Sequence, residues 1–239
     1  RGGPGLGTIQ PSQADYFQTV KGGGHGDYRL IALAPASVQE MADFVGLAFD
    51  LAFKYRNPAI LLADGVIGQM MEKVVLPEQR TRLTDEEVIA RCPWAANGKT
   101  AGRKPNIITS LELDPAEMEK RNIHLQAKYA EIEANEVRYE EINCEDAEYL
   151  IVAFGSCARI AQKTMELAIT LWPFPSKAIA ERAKQVKGIL TVELNAGQMV
   201  EDVRLAVECK VPVEHFGRLG GIVPDPDEVV NALKTKLIK

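Results

Sequence analysis

The chain has 239 residues, of which 46% are hydrophobic, so it can bury one large α/β core or two smaller ones. It has no apolar run close to the roughly 20 residues that a membrane-spanning helix needs. The formal net charge of −5 is spread along the chain, which argues against the basic surface that nucleic-acid binding requires.

Residues 1–72 begin with a glycine-rich segment and continue as a strand–helix–strand unit. Residues 1–27 are too rich in glycine for regular structure, apart from one short helix. Tyr28–Leu33 is predicted as a buried strand, Ser37 as the N-cap of a long amphipathic helix, and Ala59–Ala63 as the next strand. Such a unit predicts a parallel sheet.

Residues 73–145 are predicted to connect two domains. Their first part loses the hydrophobic rhythm and contains several prolines, which indicates a connection across a surface. Asp114-Pro115-Ala116-Glu117 then provides an N-cap, a first-turn proline and an acidic N3 residue. A long charged helix should follow to about Glu141. Only one narrow face of it is apolar, so the helix should serve as an arm or a domain connector.

Residues 146–239 alternate between predicted strands and helices. The predicted elements are a strand at Tyr149–Phe154, a helix from Gly155 to Ala168, a helix at Ser176–Lys187, a strand at Gly188–Leu194, a helix at Gln198–Glu208, a strand at Val211–Phe216 and a last helix after Asp225. The predicted fold class is therefore α/β, with two mostly parallel α/β domains.

One step of this alternation is interrupted. The helix predicted to end near Ala168 leads directly into Ile169–Pro173, without the turn and full strand that a crossover requires. We expect that a segment near Ile169 is missing. The chain also begins at Arg1 without a methionine or a preceding strand, so we expect it to be truncated.

The cysteines indicate free thiols. Cys92, Cys144, Cys157 and Cys209 are far apart and form no CxxC pair, so a zinc or iron–sulfur site built by this chain alone is not expected. Mostly buried thiols fit a reducing cytoplasm, and the glycine-rich start does not have the pattern of a signal peptide. The expected location is cytoplasmic.

Several catalytic motifs are incomplete. The turn at Gly155-Ser156-Cys157 lacks the second glycine of a dinucleotide fingerprint, and Ser156 does not lie in G-x-S-x-G. Asp64 stands in Ala-Asp-Gly, which is similar to the Gly-Asp-Gly of thiamine enzymes, but Asn97 is too distant to complete that motif. Asp64 is therefore expected to accept hydrogen bonds from loop amides, and no metal ligand is predicted.

The glycine-rich segment is the main candidate for function. Ordering glycine is entropically costly, and such loops persist where backbone must approach a ligand or a subunit closely. The segment leads into a buried strand, so it should lie at a sheet edge; the alternative is a flexible surface loop. The candidate interface or active-site residues are Gly2, Gly3, Lys21, Gly22, Gly23, Gly24 and His25.

The chain resembles the α-type subunit of 2-oxoacid:ferredoxin oxidoreductases. The resemblance rests on RGGPGLGTIQPSQADYFQTVKGGGHGDYRLIALAP, NPAILLADGVIGQMMEKV, RNIHLQAKYAEIEANEVRYEE, VELNAGQMVEDVRLA and HFGRLGGIVP, which together extend along essentially the whole chain. The GPGLGTIQPSQADYF version is most similar to the branched-chain (3-methyl-2-oxobutanoate) type. The 2-oxoglutarate type has a Ser-Thr-Gly-Leu-Pro-Thr-Lys version.

The resemblance implies a partial thiamine-diphosphate-binding fold followed by a transketolase C-terminal-like domain. Residues 1–72 would be the second half of the domain that holds the aminopyrimidine, and residues 146–239 the second domain. A β-type subunit would hold the diphosphate and magnesium, while γ-type and ferredoxin-like subunits would carry iron–sulfur clusters. The activating carboxylate would lie upstream of Arg1, and Arg1 matches the arginine that binds the substrate carboxylate.

The implied reaction is oxidative decarboxylation of a 2-oxoacid to an acyl-CoA, with electrons passed to ferredoxin. Two alternatives from other classes stay open at this point. One is a non-catalytic α/β protein that binds a partner, and the other is a transketolase-type or dehydrogenase E1-type thiamine enzyme. The choice between a branched-chain acid and 2-oxoglutarate also stays open.

Overall fold

The computed structural model describes residues 2–96, 104–161 and 166–238. The chain forms two compact units, one made of Arg1–Leu76 and Tyr129–Lys239 and the other of Pro77–Lys128. The larger unit contains both β-sheets described below.

The first elements of the larger unit form the predicted strand–helix–strand arrangement. They are α1 (Tyr16–Val20), a 3-10 turn (Gly22–Gly24), β1 (Ile31–Leu33), α2 (Val38–Tyr55) and β2 (Ala59–Leu61). β1 and β2 pair in parallel, which confirms the predicted parallel sheet. Both strands are shorter than predicted.

The middle of the chain contains three helices among the described residues, separated by long irregular stretches. α3 (Gly65–Gln69) is followed by α4 (Asp85–Arg91), α5 (Pro115–Asn135) and β3 (Tyr139–Glu140). α5 begins at the predicted proline, and the carboxylate of Asp114 accepts a hydrogen bond from the N–H of Ala116 at 2.9 Å. It ends six residues before the predicted Glu141. α4 was not predicted, although Thr84 and Glu87 give it a reciprocal capping box.

The rest of the chain builds a five-stranded sheet. Its elements, together with one strand of the first sheet, are β4 (Leu150–Ala153), α6 (Gly155–Ala161), β5 (Glu166–Ala168), β6 (Thr170–Trp172), α7 (Ser176–Arg182), β7 (Ile189–Glu193), α8 (Met199–Ala206), β8 (Val213–Gly217) and α9 (Pro226–Leu237). The strand order is β3-β5-β4-β7-β8. β5, β4, β7 and β8 are parallel and β3 is antiparallel, so the predicted mostly parallel α/β class is confirmed.

The predicted helix from Gly155 to Ala168 is wrong at its last three residues, and positions 162–165 of it lie outside the described residues. α6 ends at Ala161, and Glu166–Ala168 is a strand that pairs in parallel with β4. β6 follows after one residue and pairs antiparallel with β1, which gives a three-stranded sheet of order β2-β1-β6. This sheet therefore combines strands from the first and the last predicted domain. The missing segment near Ile169 and the domain boundaries stay predictions.

The centre of the five-stranded sheet carries the main core. β4 and β7 are buried along their whole length, as expected for parallel strands covered on both faces. Ile151 and Leu190 pack in one cluster with residues of α6 and α9, including Cys157 and Val229. Each large apolar side chain buried in this way stabilises the fold by about 1.5–3 kcal/mol. The strand ends next to this core are thus held rigidly.

A buried carboxylate ties α2 to the chain that follows α5. Glu136 accepts hydrogen bonds from Nζ of Lys54 at 2.7 Å, from the hydroxyl of Tyr55 at 2.6 Å and from the Arg138 guanidinium at 2.9 Å. Burial by itself would raise the pKa of Glu136, but these three donors outweigh it and lower the pKa to about 2. The carboxylate is therefore ionised throughout the physiological range.

Candidate functional site

The carboxyl ends of β4, β7 and β8 form one edge of the second sheet. Ligands of open parallel sheets bind at such an edge. The N-terminal segment, residues 2–15, lies along it and makes hydrogen bonds to Phe154, Leu194 and Gly220, which follow these strands. The segment lies at a sheet edge as predicted, but the edge belongs to the second sheet.

Gln13 joins the segment to this edge. Its backbone N–H donates to the carbonyl of Leu194 at 3.1 Å, and its side-chain Oε1 accepts from the N–H of Leu194 at 3.1 Å. Its Nε2 donates to the carbonyl of Phe154 at 2.8 Å and to Oδ2 of Asp64 at 3.3 Å. Gln13 is buried, and its side chain bridges the residues that follow the neighbouring strands β4 and β7.

Asn195 and Glu193 complete the attachment on the opposite side. Nδ2 of Asn195 donates to the carbonyl of Gln13 at 2.9 Å and to Glu193 at 3.0 Å. Glu193 is fully buried and accepts backbone N–H groups at the start of α8, those of Gln198, Met199 and Val200 at 3.2, 2.8 and 3.1 Å. A carboxylate at a helix N-terminus is favourable, so Glu193 fixes the β7–α8 turn that carries Asn195.

His215 of β8 lies beside this carboxylate. Its Nε2 is 3.7 Å from Oε1 of Glu193. Burial lowers the pKa of the imidazole, although the nearby carboxylate acts in the opposite direction. The neutral ring therefore borders the turn without adding a charge at neutral pH.

α1 continues the contact between the N-terminal segment and α8. The buried hydroxyl of Tyr16 donates to Asp202 at 2.6 Å, and Nζ of Lys21 forms an ion pair with the same carboxylate. Burial, followed by the charge of Asp202, raises the pKa of Tyr16. The side chain of Gln198 accepts a hydrogen bond from the N–H of Phe17 and donates one to the carbonyl of Ala14, both at 2.8 Å.

The glycine-rich turn at the start of the segment closes on itself. Gly2 donates to the carbonyl of Gln10 and accepts from the N–H of Thr8, both at 2.8 Å. The hydroxyl of Thr8 donates to the carbonyl of Gly220 at 2.9 Å. Gly7 has a φ of +53°, and an added Cβ there would lie 1.7 Å from the Gly2 carbonyl oxygen. No side chain could be accommodated at this position without opening the turn.

A cavity of about 590 Å³ lies between the glycine-rich turn and the sheet edge. Its described lining consists of Gly3, Pro4, Gly5, Ser12, Ala14, Asp15, Leu194, Asn195, Ala196, Gln198, Leu219 and Gly220. This volume lies within the range of small-molecule sites, and the position at the carboxyl edge is the usual one for a ligand.

The candidate residues from the sequence do not all meet at this cavity. Gly3 lines it, and the buried Gly2 supports it from the turn. Lys21 lines a second cavity of about 550 Å³ together with Trp172 and residues of α5. Gly22, Gly23, Gly24 and His25 follow Lys21, and Gly22 and Gly23 have positive φ angles. Arg1 lies outside the described residues.

Asp64 has the structural role that was predicted for it. Oδ1 accepts from the N–H groups of Val66 and Ile67 at the start of α3, and Oδ2 accepts from the N–H of Ser156 at 2.9 Å. Oδ2 also accepts a hydrogen bond from Nε2 of Gln13. Asp64 therefore links the end of β2 to the second sheet, and the expectation that it bonds to loop amides is confirmed.

Sequence reasoning missed the residues that hold the segment in place, namely Gln13, Tyr16, Glu193, Asn195, Gln198 and Asp202. They all lie in the two runs QPSQADYF and VELNAGQMVEDVRLA, which were noted separately. The presence of polar residues directly after a buried strand was the available signal. It did not indicate that one run binds the other.

Three further properties bear on the class of protein. Cys92, Cys144 and Cys157 are buried and Cys209 is exposed, and none of these four is in a disulfide bond, which confirms the predicted thiols. Among the described residues, no group of three or more His, Cys, Asp or Glu side chains could hold a metal ion. Within the same part of the chain, no helix has the length and apolarity required to cross a membrane.

Two family models and one solved structure match almost the whole chain. The family model described as pyruvate flavodoxin/ferredoxin oxidoreductase, thiamine diphosphate-binding, matches residues 1–143. The model described as pyruvate:ferredoxin oxidoreductase core domain II matches residues 147–229. A solved 2-oxoglutarate:ferredoxin oxidoreductase from Magnetococcus marinus shares the fold with a TM-score of 0.76 at 24% identity. The match covers 98% of this chain and 47% of that one, so the present chain spans about half of its length.

Two curated relatives are more similar in sequence. Ketoisovalerate oxidoreductase subunit VorB of Methanothermobacter marburgensis is 45% identical over 246 residues, which cover 98% of this chain and 68% of the relative. 2-oxoglutarate synthase subunit KorA of Archaeoglobus fulgidus is 32% identical over 241 residues, which cover 94% of this chain and 67% of the relative. The chain therefore belongs to the 2-oxoacid:ferredoxin oxidoreductase family.

Proposed function

We propose that the chain is one subunit of a thiamine-diphosphate-dependent enzyme that oxidatively decarboxylates 3-methyl-2-oxobutanoate to the branched-chain acyl-CoA. The two electrons pass to ferredoxin. The observation that carries the proposal is the 45% identity to a ketoisovalerate oxidoreductase subunit across 98% of this chain. The 2-oxoglutarate relatives named KorA are at most 32% identical to it, which favours the branched-chain acid.

The family model that matches residues 1–143 is described as thiamine diphosphate-binding, which supports the proposal that this chain forms one wall of that site. Bound thiamine diphosphate would supply the carbanion that attacks the 2-oxo carbon. Both oxygens of Asp64 already accept protein N–H groups, so the carboxylate that most resembles a magnesium ligand is occupied. This supports a shared site in which a β-type subunit holds the diphosphate and Mg²⁺ and this chain provides the opposite wall.

The role of the chain is then to bind and enclose the substrate. The N-terminal segment, fixed by Gln13, forms a rigid wall that keeps water away from the reacting atoms. Arg1 would bind the substrate carboxylate through its planar guanidinium. Residues 21–25, with their run of glycines, would lie at the subunit interface or the mouth of the active site.

The remaining partners follow from the family. γ-type and ferredoxin-like subunits would carry the iron–sulfur clusters that receive the electrons, and coenzyme A would accept the acyl group. The free cysteines are compatible with a reducing compartment, so we propose a cytoplasmic location.

The test is reconstitution of the whole complex. The full-length subunit is purified with and without its β-type, γ-type and ferredoxin-like partners, and viologen reduction is measured with coenzyme A and one 2-oxoacid at a time. We expect activity in the complete complex alone, with the highest kcat/KM for 3-methyl-2-oxobutanoate. A complex that prefers 2-oxoglutarate, or a subunit active alone, would contradict the proposal.

The role of Arg1 has its own test. Arg1→Ala should raise the KM for the 2-oxoacid by about 10–100-fold, the value of a lost charge-assisted hydrogen bond, while the KM for coenzyme A changes little. Arg1→Lys keeps the charge but loses the planar fork, so it should recover part of the loss. Equal effects on both KM values would argue against a carboxylate-binding role.

A further inference from the structure

The cavity beneath the glycine-rich turn has walls that suit an aliphatic group. Pro4, Ala196 and Leu219 contribute apolar surface. The backbone of Leu194, whose side chain is buried in the core, is held on both sides by Gln13, whereas Leu219 is exposed at the rim.

The polar side chains around the cavity are already engaged within the protein. Asn195 uses its amide for Gln13, Glu193 and Gly197, as described above and at 2.8 Å to the last. Gln198 uses both ends of its amide for backbone groups of the N-terminal segment. The hydroxyl of Ser12 donates to a carbonyl at 3.4 Å and accepts an N–H at 3.2 Å. These groups have little capacity left for a polar ligand.

The charge of the cavity also favours an uncharged substrate side chain. Among the lining residues that the structure describes, Asp15 carries the one ionised group, and it is an anion. A second carboxylate such as that of 2-oxoglutarate would meet this negative charge, and none of the described lining residues carries a cation to offset it. An uncharged branched side chain is not repelled by that charge and can pack against the aliphatic carbons of Pro4, Ala196 and Leu219.

The lining residue Gly3 also lies close in the chain to Arg1, the residue proposed to bind the substrate carboxylate. Gly3 follows Arg1 by two positions, and two residues of extended chain span at most about 7 Å. A 2-oxoacid held by Arg1 would therefore have its side chain within reach of the cavity.

We propose that this cavity is the specificity pocket that receives the branched aliphatic side chain of the 2-oxoacid, with Pro4, Ala196 and Leu219 as its apolar walls and Asp15 as the group that disfavours a second carboxylate. The proposal rests on the function proposed above and adds to it the residues that select the substrate. A hydrophobic pocket discriminates by about 10–200-fold between acids that differ by one methylene, which sets the scale for a change in the length of the aliphatic side chain.

The experiment measures kcat/KM of the reconstituted complex for 3-methyl-2-oxobutanoate and 2-oxoglutarate. Leu219→Arg places a cation at the rim and should lower the ratio of kcat/KM for 3-methyl-2-oxobutanoate to kcat/KM for 2-oxoglutarate by about tenfold, the value of one charge-assisted hydrogen bond. Leu205→Arg is the matched control, because Leu205 is also exposed but lies on the outside of α8, away from the cavity. The control should leave the ratio unchanged.

A second variant guards against loss of folding. Leu219→Ala removes the wall without adding charge and should raise kcat/KM for 4-methyl-2-oxopentanoate relative to 3-methyl-2-oxobutanoate. If the wild-type complex is active but neither variant at residue 219 changes its substrate ratio relative to the control, the specificity pocket is refuted. If the wild-type complex oxidises no branched-chain acid, the proposed function itself fails, and the two outcomes are thus distinct.

Discussion

Truncation of Gln13 should release the N-terminal segment from the sheet edge. In Gln13→Ala, the N–H of Leu194 loses the acceptor that it has in the folded chain. The carbonyl of Phe154 keeps the helical N–H of Ala158, and Asp64 keeps the N–H of Ser156. The variant therefore leaves one buried donor without a partner and removes two further hydrogen bonds.

The magnitude follows from this inventory. A buried donor without a partner costs about 1–3 kcal/mol, and each of the two other bonds contributes about 0.5–1.5 kcal/mol. Water entering the space left by the side chain offsets part of the loss. We expect the local opening free energy of the segment to fall by about 3 kcal/mol, which is about a 100-fold change in its opening equilibrium.

Hydrogen exchange provides the assay. The amide of Leu194 should exchange about 100-fold faster in Gln13→Ala than in the wild type, while amides in the middle of β4 keep their protection. Gln18→Ala is the control, because Gln18 is exposed on α1 and its truncation should change stability by less than about 0.5 kcal/mol. An unchanged exchange rate at Leu194 would mean that the segment is not attached to the sheet edge in solution.

Three other predictions concern separate parts of the chain. Glu136→Gln should lower the free energy of unfolding by about 2 kcal/mol at pH 7, measured by denaturant unfolding. Folding lowers the pKa of Glu136 from its usual 4.5 to about 2. The difference in stability between the wild type and the variant should therefore be lost as the pH falls from 4.5 to 2. Gly7→Ala places a Cβ 1.7 Å from a backbone oxygen and should disorder the turn, seen as faster amide exchange, whereas Gly68→Ala adds a Cβ with nothing within 4 Å and should not. Cys209 should react with a thiol reagent in the native chain, whereas Cys157, whose pKa is raised by burial, should react only on unfolding, as mass spectrometry would show.

Local signals in the sequence were sufficient for most elements of the second sheet. Asp225-Pro226-Asp227-Glu228 predicted a helix start, and the structure has a reciprocal capping box between Asp225 and Glu228. The apolar runs that became β4 and β7 are long enough to be recognised as buried parallel strands. These features succeeded because a cap or a buried strand is determined within a few residues of itself.

Features that depend on distant partners could not be predicted in this way. Glu166–Ala168 has helix-forming residues, yet pairing with β4 makes it a strand. β6 lies beside β1 although about 140 residues separate them, and no local pattern encodes that pairing. In the sequence, Gln13 likewise has the appearance of a solvent-exposed loop residue, because the strand ends that it contacts are distant in the chain.

The attachment of the N-terminal segment explains how a glycine-rich wall can be rigid. Fixing a residue of backbone costs about 1–2 kcal/mol, and glycine loses the most freedom. Here the hydrogen bonds of Gln13 and Asn195 to the sheet edge, and the internal bonds of the turn around Gly2 and Thr8, compensate that cost within the folded chain. A partner subunit and a substrate would then bind a wall that is already ordered, so that less of their binding free energy is spent on ordering it. The cavity likewise needs both sequence runs, because one provides the backbone that lines it and the other provides the strand ends that hold that backbone.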